Sequence, residues 1–166
     1  MFPKLLEAQG FEFSLEKINN LIEKKTQQYQ EIIKREDNLP MIDAFDQYLF
    51  FIAQQTTKIA ICSGSSRNEI MAVLKKLKQG QLQTYFNTIV TSEDVKQGKP
   101  SAEGYLLAAE RLNVLPEHCL VVEDTPHGVE AGKAAGMHVV ALLTSYSKQK
   151  LQIADRIIRN FNELMQ

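Results

Sequence analysis

The chain is short of the features that would assign it at once. Two cysteines in 166 residues are too few for a disulfide framework. Both, Cys62 and Cys119, fall in or beside short apolar runs, so they read as reduced core thiols of a cytoplasmic protein. No charge of one sign dominates: 19 Lys and Arg stand against 20 Asp and Glu, for a net charge of −1. Without a basic block, neither nucleic acid nor an anionic membrane is an expected partner. There is no apolar run long enough to span a bilayer, and Met1 to Gly10 lacks the apolar stretch of a signal peptide. The three histidines, His118, His127 and His138, share no metal-ligand spacing and are not expected to be catalytic. Repeats and low-complexity segments are missing as well. What remains is globular: 44% hydrophobic and 23% charged residues, in a chain long enough for a sizeable core.

The patterning changes once along the chain. From Met1 to about Gln55 the signals are helical. Ser14 suits an N-cap for a helix whose apolar positions are Leu15, Ile18, Ile22, Tyr29 and Ile32. Asp37-Asn38-Leu39-Pro40 breaks it, and Ile42, Phe45, Leu49 and Ile52 mark a second amphipathic helix. From Lys58 onward strands alternate with helices. Strands are expected at 58–62, 88–91, 119–122 and 138–143, with a short one near Ile157-Ile158. Helices are expected at 67–78, 102–112 and 127–135. Such alternation implies an α/β fold with a parallel sheet and right-handed crossovers. The domain reading is a helical part at 1–55 and an α/β part at 56–166.

Three strand–helix junctions carry chemistry. The run Cys119-Leu120-Val121-Val122 ends in Glu123-Asp124-Thr125-Pro126, and a glycine-punctuated helix follows. Adjacent carboxylates at the end of a buried strand are costly unless a cation neutralises them, and Mg²⁺ suits oxygen ligands. The same residues also serve as a polar turn before a helix with Pro in its first turn. The run Lys58-Ile59-Ala60-Ile61-Cys62 ends in Ser63-Gly64-Ser65-Ser66, where Ser66 and Glu69 form a capping box. Hydroxyls and free amides at a helix N-terminus suit a phosphate; ordinary capping explains the same residues. Arg67 reaches either an anion or solvent. Lys99, in Gln97-Gly98-Lys99-Pro100-Ser101, sits on a loop, where a lone lysine is usually a solvated charge. The combination at successive junctions is more specific than any member.

In this order the junctions resemble the haloacid dehalogenase-like (HAD) hydrolases, in the subfamily of phosphoglycolate phosphatase and β-phosphoglucomutase. Ser63 in KIAICSGSSRNEI matches the hydroxyl residue after the second core strand. Lys99 in GKPSAEGYLLAAERLNV matches the family lysine. Glu123 and Asp124 in CLVVEDTPHGVEAGKAAGMHVVAL match the acidic pair. The resemblance runs from about Leu15 to the C-terminus. It implies a Rossmann-like core with a helical cap and a two-step phosphoryl transfer on a small phosphorylated metabolite. Ser63 and the Gly64 amide would hold phosphoryl oxygens, and Lys99 would neutralise charge. Asp124, with Glu123 near or on the metal, would hold Mg²⁺; Lys99 and Asp124 are the expected catalytic residues. Lys24 and Lys25 lie where family members sometimes place a substrate contact, or simply on a solvated helix face.

One departure matters. The family's first motif, Asp-x-Asp-x-Thr after the first core strand, supplies the nucleophile, and no Asp-x-Asp occurs before Ser63. The first core strand is therefore expected to be absent and the helical part to be a partial cap. Three readings follow: an incomplete enzyme, inactive alone; a non-enzymatic phosphate- and Mg²⁺-binding protein; or an enzyme completed by another chain. The sheet is expected to be interrupted between strands 58–62 and 119–122. Those strands would then pair directly, accept Met1 to Leu6, or self-associate with a second chain.

Overall fold

Serine before an amphipathic run starts the first described helix, as its chemistry dictates. In the computed structural model, which describes residues 14–36, 39–55 and 57–166, α1 spans Leu15–Arg35. Ser14 Oγ accepts the Lys17 amide at 3.3 Å, satisfying one donor that the first turn leaves over. Ile18 and Ile33 are buried, whereas Ile22, Tyr29 and Ile32 are exposed. The apolar spacing thus locates the helix, but not which of its residues are covered. Of the expected break at Asp37-Asn38-Leu39-Pro40, Asp37 and Asn38 lie outside the described residues, while Leu39 and Pro40 are not helical.

The chain divides into two compact units, Met1–Leu39 and Pro40–Gln166, so the expected boundary near residue 55 falls inside the second. The reason lies in α2 (Phe45–Ala53). Its Tyr48 joins Val140, Leu142, Ile158 and Phe161 in a single apolar cluster. The Phe161 ring lies 5.2 Å from that of Phe45 and 5.3 Å from that of Tyr48. Tyr48 gains more by covering a sheet than by standing in water.

Among the described residues of the second unit, every strand pairing is parallel. β1 (Ala60–Cys62) pairs with β2 (Thr88–Val90), with Ile61 opposite Ile89. β3 (Leu120–Glu123), β4 (His138–Leu142) and β5 (Arg156–Ile158) form a second sheet in that order. Helices α3 (Arg67–Lys76), α4 (Glu103–Leu112) and α5 (Pro126–Ala134) supply crossovers. α3 stops before its expected end because Lys78, Gln79 and Gly80 take positive φ, a conformation no right-handed helix accommodates. Among the described residues β1 and β3 do not pair, so the expected direct pairing of these strands is not seen there. The alternative involving Met1 to Leu6 lies outside the described residues.

Alternation along β4 sorts the core into two layers. Val139 and Ala141 face a cluster with Tyr105, Ala109, Val121, Val129 and Leu151, which belongs to the side of α4 and α5. Val140 and Leu142 face the cluster of α2. The first layer is close-packed, since a Cβ on Gly132 would stand 2.7 Å from Val139 Cγ2. No helix among the described residues is long and apolar enough to cross a membrane.

Phe161→Ala tests the α2 layer. Removing this 5% exposed ring is expected to cost about 3–5 kcal/mol by urea denaturation, the range for truncating a core aromatic. A loss below about 1 kcal/mol would mean that α2 does not close that face.

Candidate functional site

The carboxyl ends of parallel strands share one side of a sheet, and ligands of open α/β folds bind there. At the end of β1, the Ser63 amide donates to Val90 O at 3.0 Å, carrying the ladder one residue further. Ser63 Oγ accepts the Ser65 amide at 3.1 Å. Ser66 and Glu69 form the full capping box at the start of α3. A Cβ on Gly64 or on Gly98 would meet nothing within 4 Å, so both border open space. A cavity of about 160 Å³ opens here, with Ser63, Gly64, Thr91, Gly98, Lys99 and Tyr105 in its lining.

Arg67 has a protein partner. Its guanidinium holds Asp94 at 3.0 Å, and Arg111 holds the other oxygen at 2.7 Å. Asp94 Oδ2 also accepts the Thr91 hydroxyl and amide, at 2.7 and 2.8 Å. The Thr91 hydroxyl first, and then Arg111, hold the Asp94 carboxyl well below the usual carboxylate range. This clasp shapes the loop after β2, and the anion that Arg67 meets is that carboxylate.

Glu103 shapes the next loop. Its carboxylate accepts the amides of Lys96 and Gln97, each at 2.8 Å, folding residues 96–103 into a tight return. From that return Lys99 reaches inward, where its ammonium donates to Cys62 O at 3.1 Å and pairs with Glu123. One side chain thus joins the carboxyl end of β1 to that of β3. Ser63 follows Cys62 and Asp124 follows Glu123, so the structure gathers the three junctions on one side, around Lys99.

The acidic pair is divided by its surroundings. Glu123 turns inward. Its Oε1 accepts from Lys99 and from the Tyr105 hydroxyl, the latter at 2.6 Å. Its Oε2 accepts from the Asp124 amide at 3.2 Å, the Thr125 amide at 3.4 Å and the Thr125 hydroxyl at 3.2 Å. Five donors occupy the lone pairs of one carboxylate, which leaves little for a metal ion. Burial alone would push the Glu123 carboxyl up; Lys99 and the Tyr105 hydrogen bond outweigh it and hold it low. The same carboxylate explains Gly128 in the first turn of α5, where a Cβ would stand 2.1 Å from Glu123 Cδ.

Asp124 is different. Its Oδ2 accepts from Thr144 Oγ1 at 2.9 Å, and among the described residues its Oδ1 accepts no hydrogen bond. One carboxylate oxygen therefore remains for a hard cation, which commonly uses one or two carboxylates and completes its shell with water and phosphate. No group of three or more His, Cys, Asp or Glu among the described residues encloses an ion by itself. His127 lies against Glu130 at 3.4 Å on the surface, and His138 opens β4 on its exposed side. Cys62 and Cys119 are both free thiols, and burial pushes each of them up.

Two residues at this side were not singled out from the sequence. Thr144 follows the carboxyl end of β4, so the rule that flagged Asp124 also reaches it. Tyr105 left no such signal, because its contact with Glu123 depends on how α4 lies across β3. Burial, and then the neighbouring Glu123 charge, push its hydroxyl far up, so it stays a donor.

A model of the family described as haloacid dehalogenase-like hydrolase matches residues 5–142. The chain belongs to this family. It is 36% identical over 136 residues to a phosphorylated carbohydrates phosphatase of Thermotoga maritima, covering 81% of this chain and 59% of that protein. It is 32% identical over 123 residues to a validoxylamine A 7′-phosphate phosphatase of Streptomyces hygroscopicus, covering 74% of this chain and 56% of that one. The chain thus spans well over half, but under two thirds, of these curated relatives. A β-phosphoglucomutase from Clostridium difficile superposes with a TM-score of 0.80 at 25% identity, covering 96% of this chain and 69% of that one. A hydrolase from Pseudomonas syringae shares the fold, with a TM-score of 0.85 at 24% identity over 98% of this chain and 73% of that one. The HAD-like α/β fold with parallel strands, expected from the sequence, is borne out.

Lys99→Met tests the bridge. It leaves Glu123 buried beside Tyr105 without its cation, at a cost of at most about 3–5 kcal/mol near neutral pH, reduced because Lys99 is itself partly exposed. In the parent, Glu123 titrates low, so its contribution is present above the ordinary carboxylate pKa and lost as pH falls through the lowered one. In the variant burial dominates and raises the Glu123 pKa, so the loss shrinks on acidification. Urea denaturation between about pH 4 and 8 measures this, and a pH-independent loss would contradict it.

Proposed function

We propose that this chain provides the binding and charge-stabilising part of a Mg²⁺-dependent HAD phosphohydrolase, of phosphatase or phosphomutase type, acting on a small phosphorylated carbohydrate. The observation that supports it most is the side chain of Lys99. An ammonium has three donors. One goes to Cys62 O and one to Glu123, and the third makes no hydrogen bond among the described residues, in a cavity that Ser63 and Gly64 also line. A tetrahedral oxyanion suits that arrangement: a hydroxyl, an amide and a held cation lining one cavity. The substrate class follows the Thermotoga relative.

In this reading Ser63 Oγ and the Gly64 amide hold phosphoryl oxygens while Lys99 offsets charge as it develops. Asp124 holds the metal through Oδ1, with Thr144 fixing the other oxygen. Glu123 positions Lys99 and stands near the metal rather than on it. Mg²⁺, when bound, would neutralise phosphoryl charge and orient the substrate. Phosphoryl transfer within this family passes through a carboxylate nucleophile, with the P–O bond to the leaving alcohol breaking as the new one forms. Asp94 is clasped by two arginines, Asp46 is paired with Lys78 and Asp155 with Lys133. Asp124 directly follows Glu123, the partner of Lys99 at the end of β3, and it is assigned to the metal. Residues 14–36 are read as part of the specificity cap.

Titration calorimetry and a phosphatase assay test this together. The purified chain is expected to bind Mg²⁺ and, in its presence, orthophosphate. Asp124→Asn is expected to remove most of the Mg²⁺ affinity, and Ser63→Ala to weaken orthophosphate by about tenfold, the value of one charge-assisted hydrogen bond. Turnover of phosphorylated sugars is expected to fall far below about 1 s⁻¹. Absence of orthophosphate binding would sink the assignment, and turnover at ordinary rates would show that a carboxylate nucleophile is already in place.

A further inference from the structure

Tyr105 lies in the first turns of α4, is 8% exposed, and packs in the apolar layer with Ala109, Val121 and Val139. A phenylalanine would fill that place without a hydroxyl to desolvate, and a buried hydroxyl is costly unless partnered. Its partner is Glu123 Oε1 at 2.6 Å, the oxygen that also pairs with Lys99. Its ring centroid lies 4.8 Å from Lys99 Nζ, within cation–π range. One residue therefore touches both members of the ion pair, and it lines the same cavity as Gly64 and Gly98.

We propose that Tyr105 is a positioning residue for the anion site, holding Glu123 and Lys99 so that the third Lys99 N–H stays directed at a bound oxyanion. The argument is one of shared charge. Oε1 has two acceptor sites, and Lys99 fills one. The Tyr105 hydroxyl fills the other and spreads part of the carboxylate charge. Without it, Oε1 keeps an unsatisfied lone pair in a half-closed site, and the Lys99 ammonium is drawn onto it. The ring limits that movement by holding the ammonium against its face. Gly128 acts from the far side, leaving room for the carboxylate to sit where Tyr105 reaches it. This role rests on the reading of Ser63 and Lys99 as a phosphoryl site.

The test compares the parent chain with Tyr105→Phe, Glu123→Gln and the double variant. Orthophosphate affinity is measured by calorimetry in the presence of Mg²⁺, and the Tyr105 hydroxyl proton is observed by NMR. The parent is expected to show a hydroxyl resonance protected from exchange, absent in Tyr105→Phe. Tyr105→Phe is expected to bind orthophosphate about 3–10-fold more weakly. In the Glu123→Gln background the same change is expected to have little further effect, because Tyr105 acts through Glu123. Parent-like affinity in Tyr105→Phe, or losses that simply add, would overturn the proposal. An unprotected hydroxyl proton in a parent chain that binds orthophosphate overturns the positioning role alone. A protected proton in a parent that binds no orthophosphate overturns the phosphoryl reading and this role with it. Should Glu123→Gln fail to fold, the isosteric Phe variant and the resonance still decide.

Discussion

The contact between Lys99 and Glu123 is the constraint on which the second unit's site depends. Among the described residues the strands lie in two sheets, β1-β2 and β3-β4-β5, which do not pair with each other. What joins their carboxyl ends among the described contacts is one ammonium, bonded to Cys62 O on one side and paired with Glu123 on the other. Ion pairs in such half-closed places rarely stabilise a fold by much, since desolvation offsets the Coulomb gain. This one survives because the carboxylate is fully satisfied, with Tyr105, Asp124 and Thr125 supplying the donors that Lys99 does not. Geometry, more than net energy, is what the pair contributes.

The surrounding residues follow from placing that pair. Gly128 has no side chain because the Glu123 carboxylate occupies the position of its Cβ. Glu103 gathers the loop amides that turn Lys99 inward. The Thr125 hydroxyl accepts the Gly128 amide at 3.1 Å as an N-cap while donating to Glu123, so the start of α5 and the buried carboxylate are set by the same atom. Asp124, one residue on, is left facing outward with Thr144. Two neighbouring carboxylates thereby acquire different environments: one enclosed by donors, the other open to a cation.

Much of this was legible in the residues themselves. Short apolar runs ending in Ser63 and in Glu123-Asp124 located two strand ends, because buried parallel strands must be apolar throughout and polar residues can begin only where they stop. Ser14 and Ser66 located helix starts, since a serine oxygen is what an open first turn lacks. The assignment of Phe45–Ala53 to the helical part went no further than its periodicity. That period says a helix has an apolar face, not that the face will meet Val140, Leu142 and Phe161. Likewise Ile22 and Ile32 lie on an apolar stripe yet are exposed, while Ile33 is buried. Arg67 was legible as a cation at a helix start, but its carboxylate partner, Asp94, lies 27 residues away.

The sequence by itself determined the class of fold, the order of its elements and the residue types that stand at the strand ends. These follow from local rules of period, capping and hydrophobicity that act within a few residues. The tertiary structure alone decided that Lys99 spans two sheets, that Glu123 faces in while Asp124 faces out, and that Tyr105 touches both partners. These depend on contacts between segments far apart in the chain. Their geometry is fixed by how helices lie on strands, where a close approach such as Gly132 on Val139 sets the distance.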